Sequence, residues 1–189
     1  MGASVVAGGE TLNPSTYELL AGIHENPSEE VIVLPNSSNV IMAAERACEL
    51  SEKPAWVVPS TSQQAGLLAM VEVGTDAPAE ENAGRLAEAL ERISTGGVAP
   101  AARDDAQGRF RRGDAVGFAG DGVVAWGGAG TTLAATIEKL AEGAEIITLI
   151  GGAGAPIPLA EIEAHVPNGV EVEVHDGGQP SWWWLLAAQ

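Results

Sequence analysis

The sequence predicts an α/β chain: an open, mainly parallel sheet with helices on both faces in the N-terminal half, then a mixed α+β subdomain with an antiparallel hairpin. Three observations carry this. Short apolar runs are followed three times by a polar turn and an apolar-periodic segment, the strand-turn-helix order of right-handed βαβ units. Beyond Thr95-Gly96-Gly97 that order gives way to short strand-like runs joined by tight turns, so a parallel subdomain over residues 1–95 and a mixed-sheet subdomain over 96–189 are expected. Finally, 189 residues with 46% hydrophobic and 19% charged side chains suit one large domain or two small subdomains with a real core.

In order along the chain, Val5-Val6 is expected as a short buried strand. Gly8-Gly9-Glu10-Thr11-Leu12-Asn13-Pro14-Ser15-Thr16 then forms a Gly-opened polar turn, with Asn13 able to cap a helix and Pro14 suited to its first turn. Tyr17, Leu19, Leu20 and Ile23 recur at helical spacing, and Asn26-Pro27-Ser28 breaks that helix. Glu30 to Pro35 reads as a second strand, followed by the turn Asn36-Ser37-Ser38-Asn39 and a helix from Val40 to Leu50. Lys53-Pro54 ends it, Ala55 to Pro59 is a third strand, and Ser60 to Gln64 leads into a helix near Gly66 to Val71. Glu81 to Ile93 is amphipathic, with Leu86, Leu90 and Ile93 on one face.

In the second half Val98 to Arg103, Phe110 to Phe118 and Gly122 to Trp126 read as strands, with Ala119-Gly120-Asp121-Gly122 as the hairpin turn. Thr131 to Leu140 is a helix, Glu145 to Ile150 a strand and Leu159 to Val166 a helix. Val170 to His175 and Trp182 to Leu186 complete the set as strands. Gly127 to Thr132 and Gly151 to Gly154 are Gly-rich, but they lack the Walker lysine and the full spacing of a dinucleotide fingerprint.

Acidic residues outnumber basic ones 26 to 9, for a formal charge of −17, which disfavours nucleic acid and anionic membranes as partners. No apolar run approaches the roughly 20 residues of a membrane span, and the N-terminus lacks a basic signal region, so a cytoplasmic chain is expected. The single cysteine, Cys48, reads as a small apolar helix residue. His24, His165 and His175 have no ligand spacing, and no metal is expected.

In an open parallel sheet, ligands sit beyond the carboxyl ends of the strands, where the three polar turns should meet. Their side chains supply the ligand-binding candidates: Thr11, Asn13, Ser15, Thr16, Asn36, Ser37, Asn39, Ser60 and Ser62. They are neutral donors and acceptors without a base or metal cluster, a pattern of recognition; a set of well-capped turns with no ligand would look the same. No catalytic residue is assigned. Arg103, Arg109, Arg111 and Arg112 are four of the nine basic residues and, with Trp182 and Trp184, form the partner-binding candidates. A solvated hairpin tip balanced by Asp104, Asp105 and Asp114 is the alternative for the arginines, and a two-sided core strand is the alternative for the tryptophans.

These residues resemble a known family. Gly8 to Thr16, Val33-Leu34-Pro35-Asn36, Asn39, Arg103-Asp104, Gly113-Asp114 and Val174-His175-Asp176-Gly177-Gly178-Gln179-Pro180, in that order, are similar to the C-terminal domain of the fatty acid kinase ATP-binding subunit. That protein is dihydroxyacetone kinase-like and often labelled Dak phosphatase. The resemblance covers nearly the whole chain. The family usually has Gln and Met where Glu10 and Leu12 stand, a second Asn at Ser37, and Ser-Ile-Pro-Gln-Gly where Ser62-Gln63-Gln64-Ala65-Gly66 stands.

The resemblance implies a DegV-like fold, related to a fatty-acid-binding subunit whose Thr-Ser loop holds the acyl carboxylate. It implies no cofactor in this chain, with ATP and Mg in a separate kinase domain of the same parent protein. The expected partners are that kinase domain and the DegV-like fatty-acid-binding subunit, with a homodimer as a further option. It also implies that a strand and helix normally precede the Gly-Gly motif. The expected function is a non-catalytic docking domain of a fatty acid kinase; a stand-alone binder of a fatty acid or other small carboxylate or phosphate is the alternative, and a phosphatase a third reading.

Overall fold

The computed structural model describes residues 3–8 and 13–189. The chain divides into two compact units, Met1–Arg92 and Ile93–Gln189.

The first unit is built on two short parallel strands, β1 (Val31–Val33) and β2 (Ala55–Val57), in register from Val31 opposite Ala55 to Val33 opposite Val57. Helices α1 (Thr16–Glu25) and α2 (Ile41–Leu50) cover one face. Leu19, Ile23, Val40, Ala44 and Ala47 form the cluster there, packed on Val31, Val33, Ala55 and Val57. The alternate residues Ile32 and Trp56 face the other way, where α4 (Ala79–Arg92) packs on both strands. The short α3 (Gln63–Ala69) and a 3-10 turn at Met70–Glu72 bridge β2 to α4. Helices thus cover both faces of a parallel pair, as expected.

Local chemistry explains the ends of these helices. Ser15 is the N-cap of α1, in a capping box completed by Glu18. The Lys53 ammonium donates to the carbonyls of His24 (3.0 Å) and Asn26 (2.5 Å), so the residue that follows α2 also closes the C-terminus of α1. Asn82, 5% exposed, accepts from the Gly74 N–H and donates to the Gly74 and Ala77 carbonyls, which shapes the loop before α4.

The second unit is a six-stranded mixed sheet in the order β5-β4-β3-β8-β6-β7. Its strands are β3 (Ser94–Pro100), β4 (Ala115–Ala119), β5 (Gly122–Gly127), β6 (Ile146–Gly151), β7 (Glu171–Asp176) and β8 (Trp184–Ala188). Only β6 and β7 pair in parallel; β3-β4, β4-β5, β3-β8 and β6-β8 are antiparallel. Helix α5 (Ala129–Leu140) lies on β3, β4 and β5 and buries Leu133, Ile137 and Leu140. A 3-10 helix, Leu159–His165, contributes Ile162 to the same core. Edge strand β7 exposes Glu171 and Glu173 between half-buried valines, a charged edge that discourages further strand pairing.

Several expectations are corrected. Val5-Val6 is not a strand: Val5 is 92% exposed, while Val6 packs over Gly22 of α1, where an added Cβ would stand 2.4 Å from Val6 Cγ2. Tyr17, placed by spacing on the apolar face of α1, is 78% exposed, because Leu19 and Ile23 alone carry that face. The buried stripe of α4 is Ala79, Asn82, Leu86 and Ala89, with Leu90 at its margin and Ile93 beyond the helix end. The expected strands over Val98–Arg103 and Phe110–Phe118 stop at Pro100 and start at Ala115, because side chains of Asp104, Asp105 and Asp114 bond the intervening backbone in place of a ladder.

The glycines expected at a boundary, Gly96 and Gly97, lie inside β3. A Cβ on Gly96 would stand 2.4 Å from the Phe118 carbonyl oxygen, and one on Gly97 would stand 2.8 Å from that of Trp184. Close packing of neighbouring strands, not chain flexibility, accounts for them.

Candidate functional site

The parallel pair β1-β2 sends both of its following loops out of the same sheet edge. There the structure joins two predicted residues. Asn36 N–H donates to Ser60 Oγ at 2.9 Å, and the Ser60 hydroxyl donates to Asn36 Oδ1 at 2.7 Å. Ser60 is 1% exposed, and the loop behind it is tied by the Val58 N–H to the Val33 carbonyl at 3.0 Å. Asn36 has φ 55, a left-handed backbone that Asn tolerates better than other side-chain-bearing residues. Its side chain lies over Gly66 of α3, where an added Cβ would stand 2.0 Å from Oδ1. The glycine is therefore part of the same lock.

The other candidates bond within their own turns. Ser15 Oγ donates to Glu18 Oε2 at 2.7 Å and accepts from the Glu18 N–H at 3.3 Å. The Ser15 backbone N–H, first, and its hydroxyl, second, hold the Glu18 carboxyl below its usual range. Ser37 Oγ accepts from the Asn39 N–H at 3.3 Å, and Ser62 Oγ accepts from the Ala65 N–H at 3.4 Å as the cap of α3. Thr16 is the first residue of α1, and Asn13 is exposed, with Ser15 taking the capping role given to it. Thr11 lies outside the described residues. The expected meeting of three turns thus reduces to one recorded contact, between the second and third.

The partner candidates separate into two groups. Trp184 is fully buried in the core of the second unit, which removes it from any contact surface. The central position of β8 explains this, since both of its edges are paired and both faces covered. Trp182 precedes the strand, half-buried, with its ring edge-on to Phe118 at 5.6 Å.

Arg103, Arg109, Arg111 and Arg112 are all exposed on the loop between β3 and β4. Asp105 accepts from the Arg109 guanidinium at 2.9 Å through both oxygens, and from the backbone of Gln107 and Arg109. The Arg109 side chain, above all, lowers the Asp105 carboxyl to about 2. The Arg109 guanidinium lies 5.7 Å from the Phe110 ring centre and 5.6 Å from that of Trp126. Trp126, 44% exposed, was not among the predicted residues. Its signal was the alternation of β5, which turns Ala125 inward and therefore Trp126 outward.

The Gly-rich loops serve packing. A Cβ on Gly152 would stand 2.0 Å from the Trp182 carbonyl oxygen, and one on Gly130 would stand 2.5 Å from the His165 ring. Beside the latter, an open cavity of about 590 Å³ is lined by Gly128 to Thr131, Ala134 and Ala164 to Pro167. Burial raises the Cys48 thiol above its usual range. Among the described residues no group of three His, Cys, Asp or Glu side chains is placed to hold a metal ion, and no helix is long and apolar enough to cross a membrane.

The polar corner at the end of a parallel pair and the mixed sheet of the second unit place the chain among known proteins. An uncharacterized protein of Staphylococcus aureus strain USA300 is 33% identical over 199 residues; the match takes in 100% of this chain and 36% of that protein. The chain therefore spans little more than a third of the length of the curated relatives it matches. A hypothetical protein from Thermotoga maritima, described as revealing a fatty acid binding function, aligns with TM-score 0.62 at 16% identity over 94% of this chain and 76% of its own. A DegV family protein from Eubacterium eligens loaded with heptadecanoic acid aligns with TM-score 0.64 at 13% identity over 94% and 78%. At these identities the likeness establishes the fold, which is DegV-like. The FakA-like C-terminal family, the C-terminal domain of fatty acid kinase proteins, matches residues 1–189, and the chain belongs to it.

Proposed function

We propose that this chain is the non-catalytic C-terminal domain of a fatty-acid-kinase-type protein and that it engages a DegV-like partner carrying the fatty acid. ATP and Mg belong, in this reading, to a kinase domain elsewhere in the same parent protein. The observation that carries it is the internal use of the strand-end hydroxyls. Ser60 bonds Asn36 twice, and Ser15, Ser37 and Ser62 each satisfy a backbone N–H of their own turn. A domain with the fold of fatty-acid-binding proteins, whose polar corner is committed to holding its own loops, is suited to recognise the carrier. The test is isothermal titration of this chain with the DegV-like fatty-acid-binding protein of the same genome. Association at micromolar concentrations supports the reading; none at tens of micromolar, with both proteins folded, counts against it.

A second reading is that the chain holds a fatty acid or other small carboxylate itself at the Asn36 corner. The left-handed Asn36 favours it, since strained backbone at a loop tip often accompanies a binding role. Native mass spectrometry with heptadecanoic acid would then show a one-to-one complex that Asn36→Ala weakens. A phosphatase reading is set aside unless aryl or acyl phosphates turn over.

A further inference from the structure

The loop between β3 and β4 carries four of the nine basic residues of a chain with formal charge −17. Three aspartates lie among them, and on charge alone these would neutralise the arginines. The structure assigns the carboxylates to other work. Asp104 accepts from the Arg112 backbone N–H at 2.7 Å, Asp114 from that of Arg111 at 2.8 Å, and Asp105 from those of Gln107 and Arg109. Only Asp105 also pairs a guanidinium, that of Arg109.

Backbone bonds close the loop further, from the Asp105 N–H to the Phe110 carbonyl at 3.0 Å and from the Gly113 N–H to the Ala101 carbonyl at 2.9 Å. Among the described residues the side chains of Arg103, Arg111 and Arg112 have no hydrogen-bond or ion-pair partner. Three exposed guanidiniums therefore project from a loop stiffened by its own aspartates. Beside them Arg109 lies between Phe110 and Trp126, leaving an exposed indole next to the cations. Arginine and tryptophan on a preorganised support are the residue types that dominate protein interfaces.

We propose that this tip, Arg103, Arg111, Arg112 and Trp126 over the Asp105–Arg109 clasp, is the surface that docks a protein partner through a cluster of partner carboxylates. The inference rests on the docking reading above and adds where it occurs and by what chemistry. Guanidiniums spaced along one loop match carboxylates on a folded surface. An extended anionic membrane or nucleic acid would also meet the remaining acidic surface of this chain and be repelled. The acyl-carrying DegV-like protein is the occupant, provided that it offers such a cluster.

The test uses the whole chain and the DegV-like fatty-acid-binding protein of the same genome in biolayer interferometry. The combined variant Arg103→Ala, Arg111→Ala, Arg112→Ala is expected to raise Kd by about 10- to 100-fold, with far-UV circular dichroism and Tm unchanged. Trp126→Ala should also weaken binding. The wild-type association should fall as salt rises from about 50 to about 500 mM, and the triple variant should be far less sensitive. Wild-type association with the folded triple variant within about two-fold of it overturns this inference alone. Absence of wild-type association overturns both this inference and the docking reading. Binding to phosphatidylglycerol vesicles that the triple variant abolishes, with partner binding intact, overturns the choice of a protein occupant.

Discussion

Ser60→Ala tests the lock at the polar corner. The hydroxyl is 1% exposed, accepts the Asn36 N–H at 2.9 Å and donates to Asn36 Oδ1 at 2.7 Å. Truncation removes two bonds worth about 1 kcal/mol each and leaves a partly buried N–H without its acceptor, so a loss of about 1–3 kcal/mol is expected. Asn36→Gly relieves the left-handed backbone by about 1 kcal/mol and removes one of the two bonds, so it should be close to neutral. In that background Ser60→Ala has one bond fewer to lose, and its cost should fall by about 1 kcal/mol. Urea unfolding followed by circular dichroism gives the cycle, and amide exchange at Asn36 gives the local reading, which should accelerate in Ser60→Ala. A Ser60→Ala cost under about 0.5 kcal/mol, or an equal cost in both backgrounds, would refute the lock.

Three further outcomes follow from packing and charge. Gly117→Ala places a Cβ 2.0 Å from the fully buried Thr136 Oγ1 and should cost about 1–3 kcal/mol, whereas Gly84→Ala, with nothing within 4 Å inside α4, should stabilise by about 0.5–1 kcal/mol; urea midpoints decide both. The Asp105 carboxyl should titrate near 2 by carbon NMR and return toward its ordinary value in Arg109→Ala. Because its folded pKa is depressed, its contribution to stability is present above the unfolded value near 3.9 and is lost as pH falls toward 2. Trp184→Ala should cost about 3–5 kcal/mol, and Trp184→Phe less, since phenylalanine fills most of the site and removes an indole N–H that has no acceptor in the structure; thermal unfolding separates them.

Periodicity revealed the helices and most strands, because burial repeats every second or every three to four residues and needs only local sequence. What stayed hidden was set by distant partners. Nothing near Trp184 says that β3 and β6 will flank it, so its run of tryptophans looked like a surface anchor. Gly96 and Gly97 looked like a linker because the Phe118 and Trp184 carbonyls that press on them lie far along the chain. The aspartates beside the arginines read as neutralising charges, and only the hydrogen-bond directions show that Asp104 and Asp114 hold backbone instead. At the polar corner the residue types were readable, but the pairing of Asn36 with Ser60 across 24 positions was not.

The place of β8 also bears on how the second unit forms. β3 is among the earliest strands of that unit to be made, yet one of its two neighbours is the last, and β6 waits for the same strand. Until Trp184–Ala188 leaves the ribosome, the hairpin side β5-β4-β3 and the parallel pair β6-β7 are two separate ribbons with open edges. The final strand joins them in one step of high sequence separation, so closure of this sheet should set the folding rate of the unit.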